Sequence, residues 1–172
     1  NNQIGIVKHK LNPKNIKIAQ REALMWGTIQ QDAINFGNIL HEIMAFIHTK
    51  DDVDLAIRKA TELGLITFSQ NAIFKETIDK IVNHEELISF FDADAKVYNE
   101  QNIIKKATKN SKPDRVVIKD NVAYLLDYKT GEKHNKHKAQ LEEYELALQE
   151  MKYTVAKKAL IYIGESIEIV TL

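Results

Sequence analysis

The sequence predicts an α+β (α/β) fold, a mixed sheet with helices packed on it, and three observations carry that expectation. Apolar residues recur at helical spacing from about residue 14 to residue 91. After Ala95 the period drops to two, in segments rich in Val, Ile and Tyr. One long helical stretch then interrupts those segments before the last two of them. At 172 residues the chain fits one domain, with a helical region over about 14–91 and a sheet core over about 95–172.

Phe36, Ile39, Leu40, Ile43 and Ile47 repeat as one face of a helix. Asp52 is placed to cap a second helix carrying Val53, Leu55, Ile57, Ala60 and Leu63, which Gly64 ends. A third helix is expected over 70–82 and a short one over 85–91. Strands are expected over 96–100, 102–106, 115–119 and 122–129. Asp120-Asn121 makes a tight hairpin turn between the last two, although the usual Gly is missing. A helix over about 135–151 follows, then strands near 159–163 and 166–170, split by a turn at Gly164-Glu165. The first dozen residues, around Pro13, read either as a ragged start or as a strand of a larger protein.

Composition removes several classes of function. Zero cysteines exclude disulfides, thiolate zinc sites and Cys-ligated iron–sulfur clusters, and fit a cytoplasmic protein. No apolar run approaches the roughly 18 residues that span a bilayer, and no signal-peptide pattern opens the chain, so no membrane partner is expected. Twenty-four basic residues balance 24 acidic ones, so affinity for nucleic acid would need a local patch. One candidate is the segment 100–138. It holds Lys105, Lys106, Lys109, Lys112, Arg115, Lys119, Lys129, Lys133, Lys136 and Lys138 against five acids, a formal charge of +5. Such a patch gives salt-dependent phosphate contact without sequence readout. The plainer reading of 105–112 is a solvated loop.

The sharpest local feature is Pro113-Asp114, followed thirteen residues later by Asp127-Tyr128-Lys129. Period-two geometry puts Asp127 and Lys129 on one face of a strand, and a hairpin brings Asp114 across to the same face. Converging carboxylates repel unless a cation sits between them. A hard divalent ion, Mg²⁺ or Mn²⁺, suits oxygen ligands, and Lys129 would then hold a water or neutralise charge on a phosphate. A D-x-K tripeptide alone is usually a solvated strand edge with a weak ion pair. Here it ends Val122-Ala123-Tyr124-Leu125-Leu126, apolar enough to be internal, where charges are paired or ligate something. His41, one helical turn after Gly37, is either a core-edge histidine or an imidazole donor to a metal at the sheet. His9, His48, His84, His134 and His137 have no comparable context; His134 and His137 alone are placed to approach a phosphate.

Taken together, these pieces resemble the RecB-type nuclease domain of the PD-(D/E)xK superfamily. Gly37 to His41 matches its helical G-x-x-x-H, Glu100 its lone strand acid, and Pro113-Asp114-Arg115 its P-D-R element. Asp127 to Gly131 matches D-Y-K-T-G, and Gln140-Leu141-Glu142-Glu143-Tyr144 matches Q-L-x-x-Y. The five motifs stand in the family's order and span Gly37 to Tyr144. The resemblance implies a restriction-endonuclease-like core and a metal-dependent DNA nuclease, an exonuclease of DNA repair and recombination. Mg²⁺ or Mn²⁺ would be held by His41, Asp114, Asp127 and the Tyr128 carbonyl, with Lys129, Asp114 and Asp127 catalytic. Gln140 and Tyr144 would support the substrate or the site; read without the family they are an ordinary helix whose Leu141, Tyr144 and Leu148 pack on the sheet. Glu100 is either a supporting carboxylate or a plain strand-end acid, and Arg115, pointing to the other face, has no catalytic role. The implied partners are DNA, as single strands or duplex ends, and a helicase in cis or as a separate subunit, this chain being a fragment of a larger helicase–nuclease. Two departures narrow the match: there is no cysteine for the family's iron–sulfur subgroup, and no G-x-x-x-x-G-K-[ST] for ATP. The rival functions are a catalytically inactive nuclease-like module that binds DNA or docks a helicase, and a phosphohydrolase of small metabolites. The scarcity of glycine gives the second no phosphate loop.

Overall fold

The computed structural model describes residues 15–17, 29–100, 112–164 and 166–172. Its centre is a mixed sheet of six strands: β1 (Asn15–Lys17), β2 (Lys96–Asn99), β3 (Arg115–Lys119), β4 (Val122–Thr130), β5 (Thr154–Ile163) and β6 (Ser166–Thr171), in spatial order β1-β6-β5-β4-β3-β2. Four helices accompany it: α1 (Ile29–Met44), α2 (Val53–Glu62), α3 (Asn71–Val82) and α4 (Asn135–Glu150). The α+β expectation holds. Neighbouring strands run antiparallel except β4 and β5, which are parallel. A parallel pair needs a crossover, and α4 is that crossover.

Strand alternation divides the apolar residues into two layers. Val117, Leu126, Tyr128, Ile161 and Ile163 face α1–α3, where Phe36, Leu40, Ile43, Phe74 and Ile78 bury against them. Val116, Ile118, Leu125, Leu160 and Tyr162 face the other way, against Leu141, Tyr144 and Leu148 of α4. The sheet is therefore covered on both sides, which is why β4 reads as a nearly continuous apolar run.

Several expected boundaries move, each for a physical reason. Asn15–Lys17, inside the stretch expected to be helical, pairs antiparallel with β6 and extends the sheet. Asp52 does not cap α2 forward; its carboxylate turns back to accept N–H bonds from Thr49 (2.7 Å) and His48 (3.0 Å). Thr49 opens a short tight turn over Lys50–Asp52 first, and that makes Asp52 the third residue of a capping box. The stretch 85–91 forms no α-helix but a hydrogen-bonded turn over 85–87 followed by the tight turn Ile88–Phe90. β5 begins at Thr154, five residues earlier than expected, because its polar first half still alternates between exposed and half-buried positions beside β4. The strand expected over 102–106 lies outside the described residues. At the β3–β4 turn both Asp120 (φ 49°) and Asn121 (φ 66°) are left-handed, the conformation a two-residue hairpin requires. Asp and Asn are the non-glycine residues that tolerate it best, so the missing Gly costs little.

The helical layer is pinned to the sheet by Arg115. Its side chain is buried, and its guanidinium donates to the carbonyls of Phe90 (2.8 Å), Ile47 (2.5 Å) and His48, and to Asn99 Oδ1 (3.1 Å). Its Cζ lies 4.4 Å from the centre of the Phe91 ring. Asn99, its register partner on β2, donates to the carbonyls of Ala45 and Ile47, both at 3.0 Å. The carbonyls of Ala45, Ile47 and His48, just past the C-terminal end of α1, are thus met by two strand residues. Arg115→Met should lower stability by about 3 kcal/mol or more, since each charged hydrogen bond removed is worth roughly 1.5–3 kcal/mol and buried carbonyls are orphaned. Arg115→Lys should recover only part, because an ammonium cannot span this fork. The midpoint of urea unfolding checks both; a drop below about 1 kcal/mol for Arg115→Met would remove Arg115 from this role.

Candidate active site

The same strand ends that hold α1 also carry the ionisable groups. Arg115 pairs with Leu126 across β3 and β4, and one residue further Asp114 meets Asp127. The Asp114 N–H donates to Asp127 Oδ1 at 3.3 Å, and Asp114 Oδ2 accepts the Tyr128 N–H at 2.7 Å. On the other side, the Asp114 carbonyl accepts the Glu100 N–H at 2.9 Å. Glu100 follows the last residue of β2 and takes a left-handed backbone, φ 49°. A non-glycine residue pays of order 1–2 kcal/mol for that, so the strand end is held by its surroundings.

His41 arrives from the helical layer. Gly37, one turn earlier, lies so close to the sheet that an added Cβ would stand 2.6 Å from Thr130 Cγ2 and 3.2 Å from Ile163 Cγ2. Glycine at this position lets α1 approach the ends of β4 and β5, and the next turn delivers His41. Its Nε2 lies 3.1 Å from Asp114 Oδ1 and 3.5 Å from Glu100 Oε1. The potential ligand atoms of His41, Glu100 and Asp114 all fall within 4.8 Å of one another. Asp127 stands beside this trio, not inside it: Lys129 Nζ is in close contact with its Oδ2. Lys129 also donates to Gln140 Oε1 at 2.8 Å, and Gln140 Nε2 donates to the Tyr144 hydroxyl at 2.8 Å. On α4, Leu141, Tyr144 and Leu148 are core residues, while Gln140 hydrogen-bonds the lysine.

Comparison with known protein families and with curated proteins finds no match for this chain. The likeness to the RecB-type nucleases rests on the five sequence motifs.

Electrostatics splits the two aspartates. Burial raises the Asp127 carboxyl, and the neighbouring Asp114 charge raises it further, to about 7 despite Lys129. Burial works against the Asp114 charge as well, but the His41 imidazole and the Tyr128 N–H outweigh it and hold that carboxyl below its ordinary range. The Asp114 carboxylate in turn raises the His41 imidazole, against a lowering by burial. His41 Nε2 and Asp127 Oδ2 are both inaccessible to solvent and neither has a well-formed hydrogen bond. Buried polar atoms are rarely left so. One imidazole nitrogen and two carboxylates facing one point, with a third carboxylate adjoining, form a donor set that fits a small divalent cation. The Tyr128 side chain lies in the helical layer with its ring centre 5.5 Å from that of His41 and its hydroxyl buried.

The basic segment divides. Arg115 is buried, Lys119 pairs with Asp92 at 2.6 Å, and Lys133 pairs with Glu168, so these three do not contribute free surface charge. Lys112, Lys136 and Lys138 are exposed, and Lys105, Lys106 and Lys109 lie outside the described residues. The approach of Asn99 to the end of α1 has no signal in the sequence.

Two outcomes follow for stability. In EDTA, Asp127→Asn should raise the melting temperature at pH 8, and the gain should shrink as pH falls through 7 toward 4. The sign comes from a folded-state pKa above the unfolded one: the wild-type contribution is fully present below the unfolded value and is lost as pH rises through about 7. A gain that does not change with pH would contradict this. With Mn²⁺ at about 100 times its dissociation constant, linkage adds roughly 2.7 kcal/mol. For a chain of this size that is a melting shift of roughly 5–11 °C. Asp114→Asn should abolish the shift, and Glu100→Gln and His41→Ala should each reduce it. An equal shift in wild type and Asp114→Asn would place the ion elsewhere.

Proposed function

We propose that this chain hydrolyses DNA phosphodiesters with Mg²⁺ or Mn²⁺, and that its site is His41, Glu100, Asp114, Asp127 and Lys129. The observation that supports the reading most is the meeting of five ionisable side chains from α1, α4-facing β4 and the ends of β2 and β3, with Asp114 and Asp127 cross-linked through backbone N–H groups. Buried carboxylates placed this close weaken a fold unless a cation answers them. His41, Glu100 and Asp114 are the residues that would hold the ion, with Asp127 next to them. When bound, a divalent ion supplies Lewis-acid polarisation of a phosphate oxygen and a more acidic water.

The rest of the chemistry belongs to this chain. An ammonium has three N–H donors. Lys129 forms an ion pair with Asp127 and donates one N–H to Gln140 Oε1, which fixes its position and leaves an N–H for a water or a phosphate oxygen. Water attacks phosphorus and gives up a proton to solvent, the bond to the leaving oxygen breaks and that oxygen takes a proton from solvent, and Lys129 stabilises charge gathering on the phosphoryl oxygens. Gln140 keeps the lysine in place, and Tyr144 keeps Gln140 in place. Lys112, Lys136 and Lys138 are the exposed cations available to the flanking backbone, which gives affinity without sequence preference. The partners that accompany this reading are DNA strands or duplex ends and a helicase, in cis or as a separate subunit.

Incubation of linear single- and double-stranded DNA with the purified chain should give cleavage with Mg²⁺ or Mn²⁺ and none with EDTA. Lys129→Ala should lower the rate on the order of 10²–10³ while DNA binding changes by only a few fold. Equal losses of binding and cleavage would make Lys129 a phosphate anchor instead. No cleavage with either metal by a wild-type chain that binds DNA would favour the inactive binding module.

A further inference from the structure

The cluster around His137 takes no part in the chemistry above, yet it adjoins it. The β4–β5 register sets Tyr162 beside Lys129. The Tyr162 hydroxyl lies 3.3 Å from His137 Nδ1, and the two rings are 5.7 Å apart. His137 is only 8% exposed, and its Nε2 has no hydrogen-bond partner among the described residues. His134 stands edge-on to it with ring centres 5.4 Å apart. His134 and Lys136 are exposed. We propose that His134, Lys136 and His137, backed by Tyr162, form a second phosphate subsite that holds the phosphodiester next to the one at Lys129. Its ligand is a single nucleic-acid strand, an identification that rests on the nuclease reading.

Three features favour an anion here. After burial, which lowers the His137 imidazole most, the cations Lys129 and Lys136 act on it in the same direction, as does the neighbouring His134. An imidazole in that field has its unpartnered nitrogen among cations, where a phosphate oxygen would complete it. Second, His134 begins α4 without a side-chain cap, so the Asn135 and Lys136 amides are left for an outside acceptor, while that of His137 donates to the His134 carbonyl. Third, the nearby acid is already engaged: Glu168 holds Lys133, whose Nζ sits 5.5 Å from the centre of the Tyr162 ring. A strand bound at Lys129 would meet the exposed Lys136 beside His134 and His137.

Binding and cleavage separate this proposal from the one it rests on. Fluorescence anisotropy of a labelled oligodeoxythymidylate, measured in EDTA over a range of salt, reads the subsite without any metal. His134→Ala combined with Lys136→Ala should weaken binding on the order of tenfold, and the salt slope should fall by about 0.7 for each phosphate that is no longer neutralised. Tyr162→Phe, which keeps the packing but frees His137 Nδ1, should weaken binding by a smaller factor. Lys80→Ala, on the exposed side of α3, should match wild type. Should the double variant bind and cleave like wild type, with the same salt slope, the subsite is overturned while the nuclease reading stands. A wild-type chain that binds no oligonucleotide overturns it as well. Binding that depends on His134 and Lys136 without hydrolysis in Mg²⁺ or Mn²⁺ supports the subsite and removes the nuclease reading.

Discussion

A guanidinium taken out of water must find its hydrogen bonds inside the protein, and Arg115 finds them on the segments that carry α1. Ile47 and His48 follow that helix, Phe90 ends the helical region, and Asn99 comes from the edge strand. The side chains on either side of the backbone therefore do complementary work. Asn99 and Arg115 grip the end of α1, while the next residue on β2 and the preceding one on β3, Glu100 and Asp114, turn toward the histidine that α1 presents. Gly37 sets the height of the helix and Arg115 sets its end. Between those two constraints His41 has little freedom to stand anywhere else.

Within the site, opposite charges are matched in pairs. His41 answers Asp114 and Lys129 answers Asp127, so the two carboxylates can approach through Asp114 N–H without leaving a bare charge in the sheet. The match is uneven. Asp114 is held ionised by more partners than Asp127, whose burial and neighbour drive it toward the protonated form. Two chemically identical residues on adjacent strands thus acquire different proton affinities from position alone. An added divalent ion would stand where the His41 proton stands, between that imidazole and Asp114, which couples metal affinity to the protonation of His41.

Much of this arrangement is legible in the chain because it follows from periodicity. The change from period 3.6 to period two locates the helical and sheet regions, and Asp127-x-Lys129 has to share a face. Asp120-Asn121 declares its turn through residues that accept left-handed backbone. Other features are not legible, for equally physical reasons. Asp52 looks like a forward cap until the turn opened by Thr49 is known. β5 hides its first half because a strand whose outer residues are polar and inner ones only half-buried has little apolar signal. Alternation puts Arg115 on the face away from Asp114, but a lone arginine in a strand says nothing of the carbonyls 67 and 68 residues earlier that it will meet. Glu100 reads ambiguously because its orientation depends on a backbone kink that no spacing rule encodes.

The separation of those partners along the chain has a kinetic meaning. Closing a loop of some seventy residues costs entropy before any bond repays it, so pairings of this kind form late. The contact of His41 with Asp114 needs the same long-range closure as that of Arg115 with Ile47, whereas Lys129 and Gln140 meet within the consecutive β4–α4 segment. Collapsed or partly folded chains would carry every residue of the site and none of its geometry. For a protein read as a cutter of DNA, late assembly keeps an unfinished molecule harmless.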